Sequence, residues 1–228
     1  MKQNDQGIFL NRTAFSDSSL IVTYYTASKG LRKFVFKGGK KKAHQLFPLA
    51  PTELTFYGRQ ESDLLQLTST EALFPTDFQF DPVKSTIAFF IAETVRKCVH
   101  EFDSDAHVFT FIREKVLELQ QAEEELAHFP LFFLIDFTEI LGVQPLVEQG
   151  GSIFDLDEGN IGKFAPQGHR TAQGEQVTCI LKRINGIEVS VNKEVRDATL
   201  QLMMEYYKIH VPGLREFETY SIVQEILS

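Results

Sequence analysis

Cysteine is scarce in this chain of 228 residues, and tryptophan is absent. The two cysteines, Cys98 and Cys179, lie far apart. Their number excludes a disulfide framework and an all-cysteine structural zinc site, and leaves two free, buried thiols as the expectation. No apolar core follows Met1-Lys2-Gln3-Asn4-Asp5-Gln6, so the opening does not read as a signal peptide. The longest apolar stretch, near Phe129 to Ile140, contains Asp136 and Glu139 and is too short to span a membrane. A reducing cytoplasm fits these features. Acidic residues are missing from one long segment, with none from Ser18 through Thr52.

What fills that segment is positive charge. Lys29, Arg32, Lys33, Lys37, Lys40, Lys41 and Lys42 fall within fourteen residues of a chain whose formal net charge is −8. Charge gathered this way acts locally, because distant charges are screened beyond a Debye length of about 8 Å. A phosphate backbone is the first partner to consider. The competing plain reading is a solvated hairpin tip.

Charge and composition change together near Phe80. Residues 1–80 hold 10 Lys/Arg against 7 Asp/Glu, and the remainder holds 13 against 24. The first part is rich in β-prone residues. Strands are expected over Gly7–Leu10, Leu20–Tyr25, Leu31–Lys37, Glu53–Tyr57 and Leu64–Thr68, with Gly58-Arg59-Gln60-Glu61 as a hairpin turn. Five short strands suit a small closed barrel and are too few for a sandwich. After Asp81-Pro82 the period becomes helical. Asp81 can cap a helix that begins at Pro82 and runs toward Phe102. Further helices are expected over His107–Gln120, Phe129–Leu141, Glu175–Ile184 and Asn192–His210, with an irregular loop region near 143–174. The fold class is therefore α+β: an oligonucleotide-binding (OB) barrel over 1–80 and a helical domain over 81–228.

Catalytic and metal motifs fail on inspection. Gly39-Lys40 is not a phosphate-binding P-loop, because Phe34 stands where the first glycine belongs and Lys41 where Ser or Thr must ligate Mg²⁺. Asp155-Leu156-Asp157-Glu158-Gly159-Asn160 resembles half a calcium loop, but Pro166 occupies the position of the bidentate Glu, so a solvated acidic turn is expected. The six histidines (His44, His100, His107, His128, His169 and His210) have no metal-ligand spacing. No cofactor, no metal and no enzymatic constellation is assigned. The basic segment has aromatics near it in sequence: Tyr24, Tyr25, Phe34, Phe36 and Phe47. OB barrels hold single strands with a basic groove and aromatic stacking. Arg32, Phe34 and Phe36 share one strand face, however, so these rings serve equally well as core.

The order of residues resembles the bacterial recombination mediator RecO family. The carriers are Gly7-Ile8-Phe9-Leu10-Asn11-Arg12, Phe15-Ser16-Asp17-Ser18-Ser19-Leu20-Ile21-Val22, Thr26-Ala27-Ser28-Lys29-Gly30-Leu31-Arg32, Phe36-Lys37-Gly38-Gly39-Lys40-Lys41-Lys42 and Leu46-Phe47-Pro48-Leu49. Gly58-Arg59 and, later, Leu141-Gly142 with Pro145 continue it. The resemblance implies a non-enzymatic DNA-repair factor that binds single- and double-stranded DNA and anneals complementary strands. It also implies that the factor works with RecR, docks the acidic tail of single-stranded-DNA-binding protein (SSB), and lets RecA load on SSB-coated DNA. A bacterial cytoplasmic, nucleoid-associated location follows from it. Many members carry a four-cysteine zinc motif after the central helix. Val143 to Thr171 here contains no cysteine, so zinc is not carried over, and the loop is expected either to be held by packing of residues such as Ile153, Phe154, Ile161 and Phe164 or to stay mobile.

The DNA-contact candidates are Lys29, Arg32, Lys33, Lys37, Lys40, Lys41 and Lys42, with Arg12 and Arg59 as additions. For the SSB tail they are Lys182 and Arg183, beside Val177, Ile180, Leu181 and Ile184, together with Arg196. The alternatives are a protein-interaction scaffold and an RNA-binding OB-fold protein.

Overall fold

A computed structural model describes residues 2–59, 62–100 and 105–227. The chain forms two compact units, residues 1–126 and 127–228. The change from strand to helix does fall near Phe80, but the first unit continues through two further helices.

In the first unit, β1 (Lys2–Ala14), β2 (Leu20–Thr26), β3 (Gly30–Phe36), β4 (Pro51–Tyr57) and β5 (Leu64–Ala72) close into a barrel of order β1-β2-β3-β5-β4. The β3–β5 pair is parallel and the others are antiparallel, so the sheet closes without a free edge. All five expected strands are present, and β1 extends well beyond Gly7–Leu10. The tip of the expected 58–61 turn lies outside the described residues. Side chains alternate across each strand. Phe9, Tyr24, Phe34, Phe36, Phe56 and Leu67 point inward and form the core. Tyr24, Phe34 and Phe56 meet edge to face at ring separations of 5.9 and 5.2 Å, a favoured geometry for aromatic pairs. Burial pushes the Tyr24 hydroxyl up to about 12.

Two helices, α1 (Pro82–Cys98) and α2 (Ala106–Gln121), belong to this unit. Asp81 caps α1 as expected, its Oδ1 accepting from the amides of Val83 at 2.8 Å and Lys84 at 3.1 Å. Residue Phe102, expected to continue α1, lies outside the described residues. The outward Tyr25 of β2 donates its hydroxyl to the Asp105 carbonyl at the head of α2. Such ties to helices are why the compact unit does not end at Phe80.

The second unit contains α3 (Phe129–Ile140), α4 (Glu175–Ile184), α5 (Lys193–His210) and α6 (Tyr220–Ile226). The expected α4 bounds hold, and Asn192 is the cap of α5. Gly142 ends α3 in the left-handed region at φ 70°. The expected loop near 143–174 instead carries a four-stranded sheet. Its strands are β6 (Leu146–Val147), β7 (Ile153–Asp155), β8 (Asn160–Gly162) and β9 (Thr171–Gln173), in the order β6-β8-β7-β9. Phe154 and Ile161 are fully buried beneath it, but Phe164 is exposed and packs nothing together. Cys98 and Cys179 are free and buried, and burial pushes the Cys98 thiol up to about 12. No helix among the described residues is long and apolar enough to cross a membrane.

Candidate nucleic-acid interface

The seven clustered cations do not form one patch. Arg32 points into the barrel, is 4% exposed, and donates through Nη2 to the Ser62 carbonyl at 2.8 Å. It is part of the barrel's structure and is withdrawn as a phosphate contact. Lys29 sits on the β2–β3 turn, whereas Lys37 follows the far end of β3. At about 3.3 Å per residue, β3 holds these two ends roughly 20 Å apart. Lys33 lies between them on the outer surface of β3.

The far end holds most of the charge. Gly38 turns the chain at φ 68°, and Gly39 begins a 3-10 helix that runs to Gln45. A Cβ on Gly39 would come within 2.9 Å of the Phe36 ring, so the glycine lets this turn lie directly over the barrel's end. The Lys-Gly-Gly-Lys-Lys-Lys segment is thus an ordered turn. Lys40, Lys41 and Lys42 are exposed on it. Lys42 Nζ stands 5.5 Å from the Phe36 ring centroid.

The β1–β2 connection meets this turn. The Lys40 amide donates to the Ser18 carbonyl at 3.2 Å, and the Arg12 guanidinium donates to the Ala43 carbonyl. Arg12, Lys37, Lys40, Lys41 and Lys42 therefore gather at one barrel end, with the exposed Asp17 as the nearby acid in sequence. Among the described residues no ion pair joins Lys29, Lys37, Lys40, Lys41 or Lys42 to a carboxylate. Arg59, also exposed, belongs to the opposite end with Lys2 and Lys29. Acids accompany that group: Asp5 binds Ser28 there, and Asp63 is exposed in the β4–β5 connection.

The aromatics near the basic segment in sequence prove to be structural. Tyr24, Tyr25, Phe34 and Phe36 are each 1% exposed or less. Phe47 is half-buried between Phe78 and Phe89, at ring separations of 5.8 Å from each. The barrel's exposed rings are Phe15, in the β1–β2 connection, and Tyr57, beside Lys2 at the other end. Neither was a candidate from the sequence, although Phe15 lies three residues from Arg12.

The second unit's candidates do not converge either. Arg183 Nε donates to Asp136 Oδ1 at 2.7 Å, and its guanidinium lies 4.7 Å from the Phe132 ring centroid. Arg196 is buried, donating to Asp197 at 2.8 Å and to the Leu227 carbonyl at 3.0 Å. Val177 and Ile180 face the core. Lys182 remains exposed, on the rim of a cavity of about 250 Å³ that Cys179, Val191, Val195 and Glu175 also line.

Asp155, Asp157 and His169 bring one potential metal-ligand atom each within 4.8 Å of one another. All three already have protein partners. Asp155 is fully buried, so the expected solvated turn is corrected: its Oδ1 accepts from the amides of Asp157 and Glu158, and Oδ2 lies 2.8 Å from His169 Nδ1. That hydrogen bond raises the His169 pKa above its ordinary value. Asp157 accepts from the Arg170 amide at 2.7 Å and from its guanidinium, which lowers the carboxyl pKa. The network closes the β7–β8 turn onto the segment before β9.

A family model described as the N-terminal part of recombination protein O matches residues 1–75, and one for its C-terminal part matches residues 79–216. Relatives named DNA repair protein RecO align along nearly the whole chain. One from Bacteroides fragilis (strain ATCC 25285) is 26% identical over 240 aligned positions, covering 99% of both chains. One from Phocaeicola vulgatus is 26% identical over 241 positions and covers 100% of both. One from Christiangramia forsetii is 27% identical over 239 positions and covers 97% of both.

Proposed function

The chain belongs to the recombination protein O family, and we propose that it is a DNA-binding, non-enzymatic repair factor that anneals complementary strands through the basic end of its barrel. One observation carries the reading. Arg12, Lys37, Lys40, Lys41 and Lys42 share one barrel end, and none is paired with a carboxylate among the described residues. Cations held this way neutralise phosphates and release counterions. Neutralisation also lowers the repulsion between two strands brought to one surface, which is the physical requirement for annealing.

The same reading makes the protein a mediator in the bacterial cytoplasm that works with RecR and helps RecA load on SSB-coated single strands. For the acidic SSB tail, the cavity between α4 and α5 is the supporting feature. Lys182 supplies its cation, without Arg183 or Arg196.

A salt titration of binding to single-stranded DNA, duplex DNA and RNA tests the reading. Five contacts at about 0.7 each predict a log–log slope of roughly −3 to −4 on single strands. A variant with Lys40, Lys41 and Lys42 changed to Glu is expected to lose at least a hundredfold in DNA affinity and to unfold as the parent does. A flat salt response, or parental affinity in the variant, overturns the DNA reading. Binding to none of the three nucleic acids favours an interaction scaffold, and preference for RNA favours an RNA-binding role.

A further inference from the structure

We propose that an unpaired base stacks on Phe15, so that the basic end of the barrel selects single-stranded over duplex DNA. This rests on the DNA-binding reading and names the substrate class of the same site.

Phe15 is 55% exposed. Single exposed apolar side chains are ordinary on protein surfaces, and exposure by itself points to nothing. Position distinguishes this one. Phe15 lies in the β1–β2 connection, which is fastened to the cationic turn by the Lys40 amide donating to the Ser18 carbonyl, and Arg12, near the end of β1, reaches Ala43 of the same turn. A strand whose phosphates run over Lys40, Lys41 and Lys42 therefore brings its bases to this connection. The rings that could otherwise serve, Tyr24, Phe34 and Phe36, are sealed inside the barrel. Among the described residues of the barrel strands and their connections, the other exposed ring, Tyr57, is at the opposite end, and the exposed Phe89 belongs to α1, where it packs on Phe47.

The connection is also held in shape before any ligand arrives. The Phe15 and Ser16 amides donate to the Ser19 carbonyl at 3.1 and 3.3 Å, and the Ser19 amide donates to Ser16 Oγ at 3.2 Å. A ring on a preformed turn loses less freedom on binding than one on a loose loop. In duplex DNA the base faces are already stacked on one another, so a surface ring has no face to meet. In a single strand each base offers one, whatever its identity. The exposed charged groups of the two joined segments are Arg12, Lys37, Lys40, Lys41 and Lys42, with His44 beyond them and Asp17 as the carboxylate of the β1–β2 connection.

The test is the variant Phe15→Ala, with Phe15→Tyr as its conservative control. Phe15→Ala is expected to lower affinity for single-stranded DNA about tenfold, the loss of one base–aromatic stack. Duplex affinity, salt slope and melting temperature stay at parental values, and Phe15→Tyr restores single-strand binding. Quenching of a 2-aminopurine base in the bound strand is expected in the parent and lost in Phe15→Ala. If Phe15→Ala binds single strands as the parent does, or loses single-strand and duplex binding equally, the stacking proposal is overturned. The Lys40, Lys41 and Lys42 variant, assayed alongside, separates the two ideas. If it too retains parental affinity, the DNA reading itself has failed. If it loses binding while Phe15→Ala does not, only the stacking has failed.

Discussion

Lys40, Lys41 and Lys42 stand exposed on a short turn at the barrel's end, whereas Arg183 and Arg196 of the second unit are engaged by carboxylates, a carbonyl and a ring. Both sets looked alike as basic residues next to apolar ones. The difference lies in what surrounds them. The segment from Ser18 through Thr52 has no acid to pair with its lysines. The second unit is rich in acids, and its arginines reach Asp136 and Asp197. An unpaired exposed cation is available to a phosphate. A buried, bonded guanidinium holds structure, and removing it leaves polar groups unsatisfied.

That contrast can be broken by substitution. The largest effect is expected at Arg196. Arg196→Ala leaves the Leu227 carbonyl without this donor and is predicted to destabilise the second unit by about 2–3 kcal/mol, with DNA affinity unchanged. Denaturant midpoints and binding isotherms check both halves of the statement. Lost affinity at full stability would make Arg196 a ligand contact after all.

A smaller effect sharpens the comparison within the barrel. Lys40→Glu is expected to weaken DNA binding about tenfold and Lys29→Glu about threefold, because Lys29 sits roughly 20 Å away, near Asp5. Equal losses would mean that the strand runs the full length of β3.

The smallest effect concerns His169. Its hydrogen bond to Asp155 raises the imidazole pKa above the ordinary value. A raised folded value means that this contribution is complete below the unfolded value, about 6.5, and fades as pH rises through the folded one. Amide exchange over residues 155–170, corrected for intrinsic rates, should therefore quicken as pH rises through that window. An NMR titration placing His169 at or below its ordinary value would contradict this, and Asp155→Asn should remove the shift.

Much of the fold was legible because its signals are local. β-prone residues bounded by turn signals marked all five barrel strands, and Asp81-Pro82 marked the head of α1. Glu175–Ile184 was readable as a helix from its strongly one-sided apolar face. The sheet of β6 to β9 was not legible, since strands of two or three residues are too short to show a period. Helix α6 was missed for a related reason, having only seven residues. Proximity to lysine left Phe34 and Phe36 open as stacking or core rings, and the barrel places them inward, on the same face as Arg32.

The sequence by itself determined where positive charge is concentrated, which segments become strands or helices, and which family the chain resembles. All of these are properties of short windows, or of order along the chain. Only the tertiary structure decided that Lys29 and Lys40 lie at opposite barrel ends, that Arg32 is buried, that Arg196 holds a carbonyl, and that the exposed Phe15 lies in the connection joined to the lysine turn. Barrel closure assigns each strand face to inside or outside and each connection to one end. Those assignments depend on strand pairings between residues dozens of positions apart, which no local pattern records.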